Sequence, residues 1–221
     1  MKPRSRNATG TLGRTLRFAD FEALFGELKI WRTPELERLE QEKGSGLVLG
    51  FVKGLRLSAG LIYALRRVVA NRGLKVHWGH LLNPSRDSCS PECDVIIHSG
   101  YYQEWNGHDK PVMDFKFIEC AKAVAVISCK SWTSKIDVDY PAKLKPYVRT
   151  VFLFSECCAP SRLTRLRKQA VKAGYRGFAC LYTYDEAKGE CVTLPEEWEK
   201  FVKGIEKVVD RAVSRRGDEP S

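Results

Sequence analysis

No apolar run in this chain reaches the roughly 20 residues that a bilayer span needs, and the basic N-terminus lacks the apolar core of a signal peptide. A cytoplasmic protein with no membrane partner is the expectation. Acid is missing from two stretches. Residues 1–17 carry five basic side chains (Lys2, Arg4, Arg6, Arg14, Arg17) and residues 161–178 carry six, with no Asp or Glu in either. A solvated face ordinarily mixes signs, so the second stretch answers phosphate better than water alone. The net charge of +10 points the same way, toward an anionic partner and most economically nucleic acid. Tight Cys-x-x-Cys pairs are absent too. The eight cysteines include Cys129 and Cys180 inside predicted strands and the adjacent Cys157 and Cys158, a usage that favours reduced thiols over a disulfide framework. His77, His80, Cys89, Cys93 and His98 lie close in sequence and leave a zinc-stabilised structural or interaction protein open. Against that, His77 and His80 would face opposite sides of a strand, and Cys-x-x-x-Cys is not the knuckle spacing.

What is present suits a soluble globular chain: 221 residues, 43% hydrophobic and 29% charged, enough for one sizeable core with terminal additions. Residues 1–45 read as a basic arm and a helical extension, the latter with Phe21, Leu24, Phe25 and Leu28 at helical spacing and a second, charged helix from Pro34 to about Lys43. Gly44-Ser45-Gly46 marks a boundary. Residues 46–214 form the main α/β domain, and 215–221 a tail. Within the domain a capped helix runs from Ser58 to Gly73, a strand over 74–82 turns into a second over 90–98 as a hairpin, and a third covers 123–131. A helix interrupted near Pro141 follows, then a strand at Val151–Phe154, an amphipathic helix over 161–174, a strand over 178–184 and a last helix from Thr193 to about Val213. Between 100 and 114, Tyr101, Tyr102 and Trp105 either stack on bases or cover a hydrophobic edge. The order predicts a mixed sheet with helices on its faces.

Two of these strands carry polar groups where a buried strand is ordinarily apolar. In Ser90-Pro-Glu-Cys-Asp-Val-Ile-Ile-His98, alternation puts Asp94, Ile96 and His98 on one face; in Ala123-Val-Ala-Val-Ile-Ser-Cys-Lys-Ser131 it pairs Ser128 with Lys130. If the strands are neighbours, a carboxylate, a hydroxyl and an ammonium converge. Burying them without partners would cost several kcal/mol, so they are paired, wet or holding a metal.

An Asp on one strand, then a polar residue and a Lys two positions on at the end of the next, resembles the PD-(D/E)xK nuclease superfamily. The wording Ser-x-Glu-x-Asp-Val-Ile-Ile with Val-x-x-Val-Ile-Ser-x-Lys-Ser is also similar to small bacterial nuclease-like domains of unassigned function. The resemblance implies a restriction-endonuclease-like αβββαβ core, a divalent metal (Mg2+ or Mn2+) held by Asp94, and Lys130 orienting or activating the attacking water. Ser128 departs from the pattern, since it stands where the second acid belongs and a hydroxyl is a poor substitute for a carboxylate on Mg2+. Glu92, on the Asp94 face, is the first candidate for a relocated acid; Glu119, Asp137 and Asp139 are the others. The expectation is a metal-dependent endonuclease acting on phosphodiesters, most naturally in DNA, with Arg162, Arg165, Lys168, Lys172 and Arg176 gripping the backbone. The alternatives are a binding module of the same fold whose chemistry decayed with Ser128, or the zinc-stabilised protein above. The oligomeric state stays open, a homodimer being one option.

Overall fold

The structure is a computed structural model that describes residues 19, 21–26, 46–101, 115–185 and 187–217. The basic arm, the charged helix expected after Pro34, and Tyr102 and Trp105 lie outside these residues. Helix α1 (Gly46–Val69) buries Leu57, Leu61, Leu65 and Val69, a repeat of four that keeps one stripe against the sheet. It begins at Gly46 rather than at Ser58. The Ser58 hydroxyl caps nothing; it donates back to the Gly54 carbonyl at 3.0 Å from inside the helix. A 3-10 turn at Ala70–Arg72 and a left-handed Gly73 (φ 63°) end the segment as the sequence predicts.

The strands are β1 (Lys75–Asn83), β2 (Ser88–Cys89), β3 (Cys93–His98), β4 (Phe115–Glu119), β5 (Ala123–Trp132), β6 (Val151–Cys158), β7 (Gly177–Asp185) and β8 (Glu190–Thr193). They make one mixed sheet in the order β2-β1-β3-β5-β6-β7-β8, with β4 also paired to β1. The predicted hairpin is real, with β1 and β3 antiparallel, and β5, β6 and β7 are parallel neighbours. Two strands escape the sequence reading. Strand β4 pairs parallel with β1 although its short Phe-Lys-Phe-Ile-Glu run gives little periodicity, and β8 is exposed at all four residues, so no buried face announces it. Gly79 accommodates the β4 pairing. Its φ of 153° and its position leave a Cβ only 1.8 Å from the Lys116 carbonyl oxygen, so any other residue would force the strands apart.

Each face of the sheet has its own core. One packs Val95, Ile97, Ile127, Phe152 and Phe154 against α1 and against the last helix, α4 (Pro195–Gly217), through Trp198, Phe201 and Ile205. Phe21 and Leu24, expected in the extension, are buried in this same cluster and so pack into the domain's core. Helix α4 also runs to Gly217, past the boundary expected at 214. The opposite face packs Ile96, Val126 and Leu153 under two further helices, α2 (Tyr140–Leu144) and α3 (Leu163–Lys172). Strand β6 is buried at all eight positions because both faces are covered. At about 1.5–3 kcal/mol per fully buried large apolar side chain, these cores readily offset a few desolvated polar groups at the sheet's edge. Among the described residues no helix is long and apolar enough to cross a membrane.

Candidate active site

Strands β3 and β5 run antiparallel with Val95 opposite Ile127 and Ile96 opposite Val126. Extending that register by one residue sets Asp94 opposite Ser128; Glu92 lies before the strand, beyond the irregularity where Gly79 pairs with Cys93 and Cys93 joins the same core as Ile96. Asp94, Ser128 and Lys130 therefore lie at the C-terminal edge of the parallel strands, where open α/β sheets ordinarily place their ligands. One Asp94 carboxylate oxygen, Oδ2, accepts the Cys129 backbone N–H at 2.7 Å. Burial raises the Asp94 carboxyl above its usual range; the Cys129 N–H, the Lys130 charge and the Ser128 hydroxyl pull it back, while the Glu92 charge pushes it up. Ser128, Lys130 and Glu92 thus all influence one carboxylate.

Ser128 is buried, and Lys130 is exposed one step outward on the strand. Glu92 is exposed, yet it is fixed: its Oε1 accepts the Trp78 indole N–H at 2.6 Å, and its backbone oxygen accepts the Tyr140 hydroxyl at 3.1 Å. The other acids take different positions. Glu119 is ion-paired to Lys122 at 3.1 Å, next to the start of β5 and so toward the opposite end of that strand from Lys130. Asp137 caps α2, its Oδ1 accepting the backbone N–H groups of Asp139 and Tyr140 at 3.1 and 3.2 Å. Asp139 is exposed at the N-cap of α2 without a side-chain cap bond. Of the four candidates, Glu92 is the one whose charge is felt most at Asp94.

Two neighbours, Tyr140 and Tyr175, carried no sequence signal, and Cys93 stood out only as a possible zinc ligand. Tyr140 and Cys93 lie beside Asp94, and both are pushed up chiefly by burial, the Cys93 thiol to about 12. Tyr175 is buried, its hydroxyl donating to the Asp137 carbonyl at 3.0 Å, and the Asp94 charge reaches it. Tyr140 opens α2 and Tyr175 follows α3, as ordinary packing residues would, so spacing alone could not single them out.

The zinc arrangement does not assemble. His77 Nδ1 and His98 Nε2 are 2.8 Å apart in a direct hydrogen bond, His98 Nδ1 lies 3.0 Å from the Gly100 carbonyl, and His80 instead reaches the Ser90 carbonyl. Among the described residues no three of His, Cys, Asp and Glu are grouped to hold a metal. A hydrated Mg2+ asks for less, one or two carboxylates with water filling the remaining positions. Asp94 suits the place of one such carboxylate, since burial and a neighbouring acid hold it above its usual range and a cation would relieve it, whereas Glu92 commits one oxygen to the Trp78 indole.

The basic helix is as the sequence predicts. Arg162, Arg165, Lys168, Lys172 and Arg176 are all exposed, whereas Leu166 and Ala170 are buried against the sheet. Helix α3 covers the same face that carries Asp94 and Ile96. Its N-terminus lies at the Asp94 edge, where Arg162 donates to the Ser134 carbonyl at 3.2 Å, just beyond β5. Tyr101, by contrast, packs into the core margin with Lys75 over its ring at 4.5 Å, which is the edge-covering role.

Sheet, crossover helices and the polar cluster at one strand edge together define a restriction-endonuclease-like α/β fold. Solved structures of NucC share it. NucC from P. aeruginosa ATCC27853 in its cAAA-bound form superposes with a TM-score of 0.53 at 12% identity, over 90% of this chain and 91% of that one. NucC from E. coli MS115-1 gives a TM-score of 0.53 cAAA-bound and 0.52 apo, both at 10% identity over 97% of this chain, covering 92% and 94% of theirs. At such identities the likeness is one of fold. No family model matches the sequence, and no curated protein matches it.

Proposed function

We propose that this protein is a metal-dependent nuclease that hydrolyses phosphodiester bonds, most naturally in DNA. The observation that carries the reading is Asp94: a desolvated carboxylate gathered with Ser128, Lys130 and Glu92 at one strand edge, on the sheet face that also bears an exposed basic helix. Asp94 and Glu92 would hold Mg2+ or Mn2+, which supplies charge stabilisation at the phosphoryl oxygens and a more acidic water. Lys130, exposed beside them, orients the attacking water and offsets charge that develops on the phosphoryl group. Ser128 takes the place of a second acid by donating to Asp94, which steadies the ionised carboxylate without adding a charge. Arg162, Arg165, Lys168, Lys172 and Arg176 hold the backbone by phosphate contacts that carry no sequence information.

A second reading, a binding module of this fold without catalysis, draws on the small donor set of two carboxylates. One assay separates the two. Supercoiled plasmid is incubated with the protein across a titration of Mg2+ and of Mn2+, beside Asp94→Ala and Lys130→Ala. Metal-dependent nicking that both variants lose supports the nuclease; binding with no nicking in either metal, on DNA and RNA alike, leaves the binding module.

A further inference from the structure

Seven residues along β5 from Lys130, at the opposite end of the strand, the sheet opens onto a groove of about 940 Å3 that the Asp94 site does not use. Arg86, Lys145, Arg149, Arg176, Arg211 and Arg215 line it, and no acid appears among its described lining residues. These six cations come from different parts of the chain: the turn after β1, the segment between α2 and β6, the start of β7 and the last turns of α4. None of them enters an ion pair among the described residues. A seventh, Lys122, is committed to Glu119 and to the Tyr101 carbonyl. Six exposed like charges facing one concavity repel each other and gain nothing from the fold, so the arrangement calls for a polyanion.

The groove is not isolated from the candidate active site. Arg176 belongs both to it and to the basic stripe of α3, and its backbone N–H donates to the Val151 carbonyl at 2.7 Å, at the groove end of β6. Arg162 stands at the other end of that stripe, beside Ser134 and the exit of β5. Helix α3, ten residues long, spans about 15 Å between them. We infer that the α3 stripe and the groove form one continuous track for the phosphate backbone of nucleic acid, leading from the Asp94 edge across the length of the sheet. The choice of nucleic acid over a small polyphosphate rests on the proposed nuclease reading and on continuity: Arg176 joins the groove to the α3 stripe, which runs on to Arg162 at the Asp94 edge.

From Ala123 to Lys130 is seven strand steps, about 23 Å, or close to seven base pairs at about 3.4 Å each. A duplex must therefore extend about that far to one side of the Asp94 site before it reaches the groove. The test measures binding by fluorescence anisotropy in metal-free buffer, with the Asp94→Ala protein as background so that nothing is cut. Duplexes of about 6 and about 20 base pairs are compared across a salt titration, with and without Arg149→Gln, Arg211→Gln and Arg215→Gln together. The groove variant should bind the long duplex at least about tenfold more weakly, with a salt slope lower by about 2.7, that is, about 0.9 for each of three lost phosphate contacts. Binding of the short duplex should change by less than about twofold, by the same counterion argument. Equal affinity and equal slope on the long duplex would overturn the proposal. So would ATP binding tightly to the parent and not to the groove variant, since that assigns the groove to a small polyphosphate. Arg215→Gln alone, at an exposed position near the end of α4, gives a milder version in which the slope should fall by about 0.9; no fall would count against the track. Plasmid nicking by the otherwise native chain is read separately, so failure of the track leaves the nuclease reading standing, and failure of nicking leaves the track.

Discussion

The two ends of β5 are built in opposite ways. At the Lys130 end an acid is drawn out of water and surrounded by a few close groups, a backbone N–H, a hydroxyl and one ammonium. At the Ala123 end six cations stay in water and share a concavity without a counter-charge. The first arrangement sets the properties of a single atom group, as chemistry requires; the second sets a field, as binding a polymer requires. Both sit on the ends of the same strands because the middle of the sheet is sealed on both faces and offers no polar surface.

Substitutions at the Lys130 end should have the larger effects. Asp94→Ala and Lys130→Ala should each lower metal-dependent nicking by at least about a thousandfold, with circular dichroism close to wild type. If either keeps near-full activity, the two ends do not differ in kind. On the binding side, replacing Arg165, Lys168 and Lys172 together by Ala should weaken duplex affinity by about one to two orders of magnitude, uniformly across sequences, and lower the salt slope by about 2.7. An unchanged slope would assign the stripe to solubility and break the continuity with the groove.

A third experiment sharpens the contrast through stability. Because burial raises Asp94 above its unfolded value, its ionised form disfavours the folded state. That cost is absent below the ordinary carboxylate pKa of about 4 and grows as pH rises toward the folded value. Asp94→Asn should therefore raise the metal-free midpoint at neutral pH by about 2–4 °C for each kcal/mol relieved, and should erase any stabilisation that Mg2+ gives the native chain. A lower midpoint would mean that the carboxylate is already well compensated. His98 has the opposite sign. Burial first, and then the His77 ring, hold it at about 3, below the unfolded value of about 6.5. Stability is thus lost as pH falls from about 6.5 toward 3, where the unfolded chain takes up a proton that the folded ring refuses. In His98→Gln the slope of stability against pH over that window should shrink by up to about 1.4 kcal/mol per unit, measured by urea titration. The smallest change is expected from Ser128→Glu. A third carboxylate set opposite Asp94 and near Glu92 adds repulsion that a cation only partly offsets, so cleavage should stay level or fall across a Mg2+ titration, and a marked gain would favour the decayed module.

The same contrast governs what the sequence could reveal. Asp94, Ser128 and Lys130 stand out because each interrupts an apolar strand; alternation paired Ser128 with Lys130, and their convergence with Asp94 depended on the two strands being neighbours, as they are. Alternation also pointed to Glu92, whose carboxylate instead reaches Trp78 on the other core; the basic stripe followed from helical spacing in an acid-free stretch. The groove left no such trace, since Arg86, Lys145, Arg149, Arg211 and Arg215 come from separate segments and meet only through the fold. Long-range pairing also hid β4, whose partner β1 precedes it by more than thirty residues in the sequence, with Trp78 paired to Phe115. Ser58 misled for a local reason: a serine ahead of an apolar repeat reads as a helix cap, but the helix was already twelve residues old, having begun at Gly46.

Strand β6, covered on both faces and bonded on both edges, bears on how the molecule breathes. Its amides, with those of β5 and β7, should exchange with solvent only when the whole domain opens, while the short β2 and the exposed β8 open by themselves. A brief loosening at the Asp94 edge then has no route to the groove, since the axle between them stays shut. A polymer lying along the sheet would meet both ends at a spacing that thermal motion leaves unchanged.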